Sequence, residues 1–104
     1  METTELNLSE MQNNAVEAAE LLKVMAHPER LMVLCQLISG EVGVGELQKN
    51  STLSQSAFSQ HLTVLRKHEI IKARKESQQV FYSLADQRVV HLIQSLHTVF
   101  CGVG

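Results

Sequence analysis

Two cysteines and one nearby histidine have the side chains of this sequence best suited to redox or metal chemistry. Cys35 lies within an apolar run, and Cys101 lies just before a short tail that contains two glycines. His97 and Cys101 are four residues apart, a helical spacing that suits two ligands of one metal ion, with Cys35 as a third. Two cysteines are too few for the disulfide framework of a secreted domain, so free thiols, metal ligands and redox partners all remain open.

Each of these residues also has a purely structural interpretation. Cys35 fits a small buried hydrophobic residue of a core helix, and Cys101 fits an incidental thiol in a frayed tail. A metal ion would lack an evident fourth ligand, unless His91 or a residue of a second copy supplied it. The sequence has no glycine-rich phosphate loop, no metal-hydrolase spacing and no convincing pair of nucleophile and base. We therefore predict that it is not an enzyme and that it carries no cofactor.

A second group of functional candidates lies in the stretch LSQSAFSQHLTVLRKHEII, residues 53–71. Its apolar residues recur at helical spacing and predict one buried stripe. The opposite face carries short hydrogen-bonding side chains, which suit the base edges and phosphates of double-stranded DNA, and has no acidic residue. The DNA-binding residues predicted in this stretch and the segment after it are Ser54, Gln55, Ser56, Ser59, Gln60, His61, Arg66, Lys67, Arg74 and Lys75.

The distribution of charge also favours a nucleic-acid partner. The formal net charge is −2, yet residues 49–75 contain six basic residues and one acidic residue, whereas residues 1–48 contain two basic and eight acidic residues. Phosphates respond to the local charge, so the basic block indicates a phosphate-binding surface. The alternative is an ordinary solvated helix face, and His61 either contacts DNA or packs at the edge of the helices.

Hydrophobic spacing outlines the elements that would position these residues within one domain, 1–104. Ser9 is the predicted cap of the first helix, Pro28 opens the second, and Gly40 ends it. The order α-α-α-α-β-β-α, mainly α with a small β-hairpin, is typical of a winged helix-turn-helix. The predicted ranges are 8–26 for the first helix, 54–68 for the polar-faced helix, 70–84 for the hairpin and 86–101 for the last helix.

The sequence shows no sign of a membrane segment or a secretory leader. No apolar run approaches the roughly 18 residues of a membrane span. The first residues, METTELNLSE, lack both the basic and the apolar region of a signal peptide. We therefore expect a cytoplasmic protein with no membrane partner.

The chain contains the stretches MAHPERLMVLCQL and VGELQKNSTLSQSAFSQHLTVLRKHEIIKARKESQQVFYSL, followed by the closing helix. These resemble the ArsR/SmtB family of homodimeric bacterial repressors from near Glu17 to Cys101, and the pattern at Leu53 to Arg66 is the most specific part. The resemblance implies a recognition helix at 54–68, a wing at 70–84 and a homodimer formed through the first and last helices.

The resemblance also bears on the effector. Gly43 and Gly45 stand where arsenic and cadmium sensors carry cysteines. Asp86 matches the zinc and nickel sensors, but Arg88 stands where those sensors have the first histidine of their last-helix site. Both metal sites of the family are therefore expected to be absent.

What remains is the pair Cys35 and Cys101, which resembles the thiol-based branch of the family. The resemblance implies that reactive sulfur species or oxidants link the two cysteines, directly or through added sulfur, and thereby lower the affinity for operator DNA. The protein would then be a repressor or an anti-silencer. The alternatives are a metal-responsive repressor that uses Cys35, His97 and Cys101, and a protein-interaction adaptor whose function does not involve DNA.

Overall fold

In the part of the chain that it describes, residues 7–102, the computed structural model has five α-helices and one three-stranded antiparallel sheet. A 3₁₀ turn extends the second helix, and no described helix is long and apolar enough to cross a membrane. The mainly helical fold with a small hairpin is confirmed. The elements are α1 (Leu8–Met25), α2 (Pro28–Gln36), β1 (Val42–Gly43), α3 (Val44–Lys49), α4 (Gln55–Lys67), β2 (Ile71–Glu76), β3 (Gln79–Leu84) and α5 (Gln87–Cys101).

The sheet has one more strand than the sequence predicts. Its order is β1–β3–β2, with β3 in the middle. The hairpin register runs from Ile71 opposite Leu84 to Glu76 opposite Gln79, and β1 adds Gly43 opposite Phe81. A strand of two residues is too short to show the alternating pattern by which strands are identified from sequence. Because β1 contacts both α3 and β3, it connects the start of α3 to the hairpin.

Thirteen buried side chains form the hydrophobic core. α2 lies at its centre and contacts both α4 and α5. α1 contributes only one buried residue, so most of its apolar surface is not used within the chain. The core residues are Met25, Val33, Leu34, Leu37, Leu47, Phe58, Leu62, Leu65, Ile70, Ile71, Tyr82, Val89 and Ile93.

The residue that caps the start of α1 differs from the prediction. Asn7, not Ser9, is the N-cap, and its Oδ1 accepts a hydrogen bond of 3.1 Å from the backbone N–H of Glu10. Asn is as good a cap as Ser, so the helix begins at the earlier of the two sites. The predicted apolar stripe is present, but Leu8 and Leu22 are 69% and 47% exposed.

The joint between α4 and β2 is a helix C-terminus with two backbone hydrogen bonds of the Schellman type. The N–H of Ile70 donates to the carbonyl of Leu65, and the N–H of Glu69 donates to the carbonyl of Arg66, both at 3.0 Å. Leu65 and Ile70 are fully buried on either side of the turn. Glu69 has a φ of 59°, in the left-handed region that favours glycine. This turn sets the direction in which the hairpin leaves α4.

We predict that Glu69→Gly stabilises the protein by roughly 0.5–1 kcal/mol, because glycine adopts the left-handed conformation without a steric penalty. Urea unfolding followed by circular dichroism measures the change. Glu69→Ala is the matched control, since it removes the carboxylate but keeps the Cβ, and it should give no such gain. An equal gain in both variants would show that the side-chain charge, not the backbone conformation, is responsible.

Candidate nucleic-acid interface and thiol pair

Three apolar side chains anchor one side of α4 in the core, and a side-chain hydrogen bond caps its first turn. Phe58, Leu62 and Leu65 are buried, one helical turn after another. Ser54 caps the helix, and its Oγ accepts a hydrogen bond of 3.2 Å from the backbone N–H of Ala57. Ser54, predicted to bind DNA, therefore already serves as the helix cap.

The turn before α4 is fixed to α2 by polar contacts. Ser51 Oγ donates to Glu29 Oε1 at 2.9 Å and accepts from the backbone N–H of Leu53 at 3.1 Å. Asn50 Nδ2 donates to Gln36 Oε1 at 2.8 Å. These contacts hold the turn between α3 and α4 against α2.

The side of α4 opposite the core is polar and exposed over its whole length. Thr63 Oγ1 bonds back to the carbonyl of Ser59 at 2.9 Å, while the neighbouring serine and glutamine side chains point into solvent. No acidic residue lies on the helix. The exposed face comprises Gln55, Ser56, Ser59, Gln60, Thr63, Arg66 and Lys67.

His61 lies outside this face, in a joint between three helices. Arg30 donates from Nε to His61 Nδ1 at 3.1 Å and from Nη1 to the carbonyl of Val24 at 2.8 Å. The rings of His27 and His61 are 4.3 Å apart between centroids. His61 is thus packed at the edge of the helices, the second of its two interpretations. Sequence analysis missed the role of Arg30, because no local pattern links residues 31 positions apart.

The hydrogen bond from Arg30 requires that His61 Nδ1 carry no proton. Burial lowers the pKa of His61, and the neighbouring His27 and Arg30 lower it further. Protonation would turn the acceptor nitrogen into a donor that faces a guanidinium group. The joint is therefore stable only with neutral His61.

Arg74 lies on the wing and already has anionic partners. Its Nε and Nη2 atoms donate to Glu41 at 2.9 and 2.8 Å, and its Nη1 atom donates to Glu76 at 2.8 Å. The hydrogen bond from Arg74 is the main cause of the lowered pKa of Glu41. Sequence analysis missed Glu41, which precedes a strand that the sequence does not predict.

The other predicted basic residues have no such partner in the part of the chain that the structure describes. Arg66, Lys67 and Lys75 are exposed, and within residues 7–102 no carboxylate lies at salt-bridge distance from them. Lys72 is likewise exposed on β2. Together they form a positive rim at the end of α4 and along the hairpin.

The two cysteines are free thiols on α2 and α5, two helices that contact each other. Cys35 is half-buried, and Cys101 is exposed at the last turn of α5. Burial is the main cause that raises the pKa of the Cys35 thiol, and the charge of Cys101 raises it further. Cys101 is therefore the more accessible thiol, and Cys35 is the one that resists ionisation.

The metal alternative finds no support within one chain. Among residues 7–102, no three His, Cys, Asp or Glu side chains cluster closely enough to hold a metal ion, so Cys35, His97 and Cys101 do not form such a set. Arg88 instead donates to Asp86 at 2.7 Å and to Glu17 at 3.1 Å. It joins the start of α5 to α1.

Comparison with known proteins identifies a family and several similar regulators. Residues 27–73 match the family model described as "Bacterial regulatory protein, arsR family". The transcriptional activator HlyU of Vibrio cholerae is 47% identical over 96 residues, which cover 92% of this chain and 89% of that protein. The biofilm growth-associated repressor of Agrobacterium fabrum is 44% identical over 97 residues, which cover 93% of this chain and 83% of that protein.

The fold agrees with a solved structure as well. Reduced HlyU from Vibrio cholerae superimposes with a TM-score of 0.84 at 47% identity, over 88% of this chain and 97% of that chain. The likeness therefore extends over most of this chain and nearly all of that one.

We predict that the protein loses stability as the pH falls through about 6.5, the ordinary pKa of histidine in the unfolded chain. Because the folded-state pKa of His61 is lowered, the unfolded state binds more protons below that pH, and the free energy of unfolding decreases. Urea unfolding at pH 7.5 and pH 5.5 measures the loss. His61→Gln should lose less than the wild type, since glutamine still accepts from Arg30 but does not titrate.

The control is His91→Gln, at an exposed position of α5 away from the joint. It should lose as much stability as the wild type. If His61→Gln lost as much as well, the joint would not be the origin of the pH dependence.

Proposed function

This chain belongs to the ArsR family of bacterial regulatory proteins, and we propose that it is a homodimeric transcriptional regulator that binds operator DNA through α4 and the hairpin. α4 would lie in the major groove as the recognition helix, and the hairpin would form the wing beside it. Its named relatives are a transcriptional activator and a repressor, so regulation without enzymatic turnover is the common activity. We place it in the cytoplasm, where bacterial operator DNA lies.

The observation that carries this proposal is the exposed face of α4. Gln55 and Ser59 lie in its first turns, where a recognition helix meets base edges, and glutamine can bond adenine with two hydrogen bonds. Arg66 and Lys67 at the other end, with Lys75 on the hairpin, would neutralise flanking phosphates. The face therefore divides into a part that reads sequence and a part that supplies affinity.

The proposed homodimer rests on the exposed apolar surface of the first and last helices. Met11 and Val16 on α1 are 46% and 60% exposed, and Val99 and Phe100 on α5 are 73% and 81% exposed. Apolar surface of this kind on a small domain is typical of an interface. Two copies related by a two-fold axis would cover it, and would set two α4 helices one turn of DNA apart.

The proposed effector is a reactive sulfur species that links Cys35 and Cys101. The Cys101 thiolate attacks the outer sulfur of a persulfide RSSH, takes up that sulfur as Cys101–SSH and releases RSH. Cys35 then attacks the Sγ atom of Cys101, which forms the Cys35–Cys101 disulfide and releases the outer sulfur as H₂S. A second equivalent of RSSH would insert its outer sulfur into this disulfide, which gives a trisulfide and releases RSH. The exposure of Cys101 and the raised pKa of Cys35 support this order.

The link would act on DNA binding through α2 and α5. A bond between Cys35 and Cys101 changes the contact between a core helix and a helix of the proposed dimer interface. A shift there would alter the separation of the two α4 helices and lower the affinity for the operator. The solved relative is the reduced form of HlyU, which supports a regulator whose conformation depends on the redox state of its thiols.

The first test is DNA binding as a function of salt, measured by fluorescence anisotropy with a duplex that the wild-type protein selects from a random-sequence library. Binding should weaken steeply as salt increases. Gln55→Ala or Ser59→Ala should reduce the preference for the selected duplex over a scrambled one, roughly ten-fold or about 1.4 kcal/mol each.

Lys75→Gln should weaken binding to both duplexes and reduce the salt slope by about one, and Lys23→Gln on α1 is its control. Wild-type binding that does not depend on salt would instead favour the protein-interaction adaptor.

The second test is intact-protein mass spectrometry after anaerobic treatment with a persulfide donor or with peroxide. The donor should link Cys35 and Cys101 and weaken DNA binding, whereas Cys35→Ser and Cys101→Ser should keep full binding after treatment. A plain disulfide with both reagents would identify a general redox switch. No change in mass or affinity with either reagent would exclude the thiol switch.

A further inference from the structure

We propose that Arg74 is a positioning residue of the wing, which acts through Glu41, and that it does not contact DNA phosphate. This inference rests on the proposed function, because it assigns a role within DNA binding. Sequence analysis counts Arg74 among the DNA-binding residues on charge alone. The structure surrounds it with partners that leave little of its charge or hydrogen-bonding capacity for a phosphate.

Carboxylates already occupy the guanidinium group of Arg74. Arginine binds phosphate best with two parallel N–H groups. The Nε and Nη2 edge of Arg74 makes that paired contact with the two carboxylate oxygens of Glu41, at 2.9 and 2.8 Å. The Nη1 atom donates to Glu76 at 2.8 Å, and the carbon at the centre of the group lies 4.9 Å from the centroid of the Phe81 ring. A phosphate would have to displace a carboxylate.

The side chain of Arg74 crosses the sheet from one edge to the other. Arg74 lies on β2 and pairs with Phe81 on β3, whereas Glu41 directly precedes β1. Since β1 and β2 lie on opposite sides of β3, the guanidinium group reaches across the middle strand, above Phe81, to Glu41. Gly43 pairs with Phe81 from the other side, and a Cβ there would lie 3.5 Å from the ring. The ion pair therefore joins both outer edges of the sheet.

The ion pair between Arg74 and Glu41 attaches the hairpin to the rest of the domain. β1 pairs with β3 over only two residues, so the backbone alone holds the hairpin weakly to the α2–α3 connection. Arg74 and Glu41 are partly exposed, with side chains 51% and 34% exposed, so the pair contributes little to global stability. Its consequence is orientation, because it fixes the angle of the hairpin and so the place where the wing lysines meet DNA.

The charge balance leads to the same conclusion. Two carboxylates accept hydrogen bonds from one guanidinium group, so the charge of Arg74 is offset by its own partners. The hydrogen bond from Arg74 lowers the pKa of Glu41, which keeps that carboxylate ionised. Lys72 and Lys75, which have no carboxylate partner among residues 7–102, remain as the positive groups of the hairpin.

The test compares Arg74→Gln, Glu41→Gln and the double variant on the selected duplex over a series of salt concentrations. Positioning predicts that each single variant weakens binding by about three- to ten-fold, that the double variant is no weaker than the worse single variant, and that the salt slope is unchanged. A phosphate contact predicts a slope lower by about one for Arg74→Gln and tighter binding for Glu41→Gln.

Two controls make the comparison sharp. Glu46→Gln on α3 removes one negative charge without breaking an ion pair in the described part of the chain, so Glu41→Gln is judged relative to it. Arg74→Lys keeps the charge but loses the paired geometry, and positioning predicts that it binds as weakly as Arg74→Gln. Urea unfolding shows that each variant is folded.

The outcomes separate the two proposals. Salt-dependent wild-type binding with tighter binding by Glu41→Gln than by Glu46→Gln overturns the role of Arg74 and leaves the proposed function standing. Wild-type binding that does not depend on salt overturns both.

Discussion

The burial of one side of α4 is the constraint on which the rest of the structure depends. Phe58, Leu62 and Leu65 are anchored in the core, so the helix can neither rotate nor slide without exposing them. Its polar side is thereby fixed toward solvent. At its end, Ile70 is buried next to Leu65, so the same anchoring also determines where the hairpin starts. The exposed polar face of α4 and the wing are thus positioned by one set of contacts.

α2 connects this anchored helix to the thiols. Its first turn carries Arg30, which binds His61 of α4, and its last turn carries Cys35, whose proposed partner Cys101 ends α5. A helix of nine residues is short and stiff, so a displacement at one end moves the other. This arrangement gives the proposed sulfur chemistry a direct physical connection to the orientation of α4.

Much of this fold follows from sequence because its patterns are local. The apolar spacing around Phe58 and Leu62 defines a helix and its buried side, and Pro28 and Gly40 mark the ends of the second helix segment. What sequence could not provide depends on contacts between distant residues. The strand at Gly43 is too short to have a pattern, and it exists only because Phe81 lies opposite.

The residues of the candidate site also fall into those that local patterns predict and those whose environment depends on distant residues. Polar residues such as Gln55 and Ser59 could be assigned to the exposed face from helical spacing alone. The environments of His61 and Arg74 could not, because their partners Arg30 and Glu41 are 31 and 33 positions away in the chain. Charge alone therefore predicted the same DNA-binding role for Arg66, Lys67, Arg74 and Lys75, whereas tertiary contacts differ between them.

The strand order has a further consequence for how the protein behaves at high concentration. With β3 in the middle, β2 is an edge strand of six residues whose outer backbone groups have no strand partner within the described chain. Such an edge invites a second molecule to add a strand, which leads to aggregation. Lys72 and Lys75 place repelling charge along this edge, and β1 leaves only two residues at the other. The wing is thus protected against self-association by the same lysines that give it positive charge.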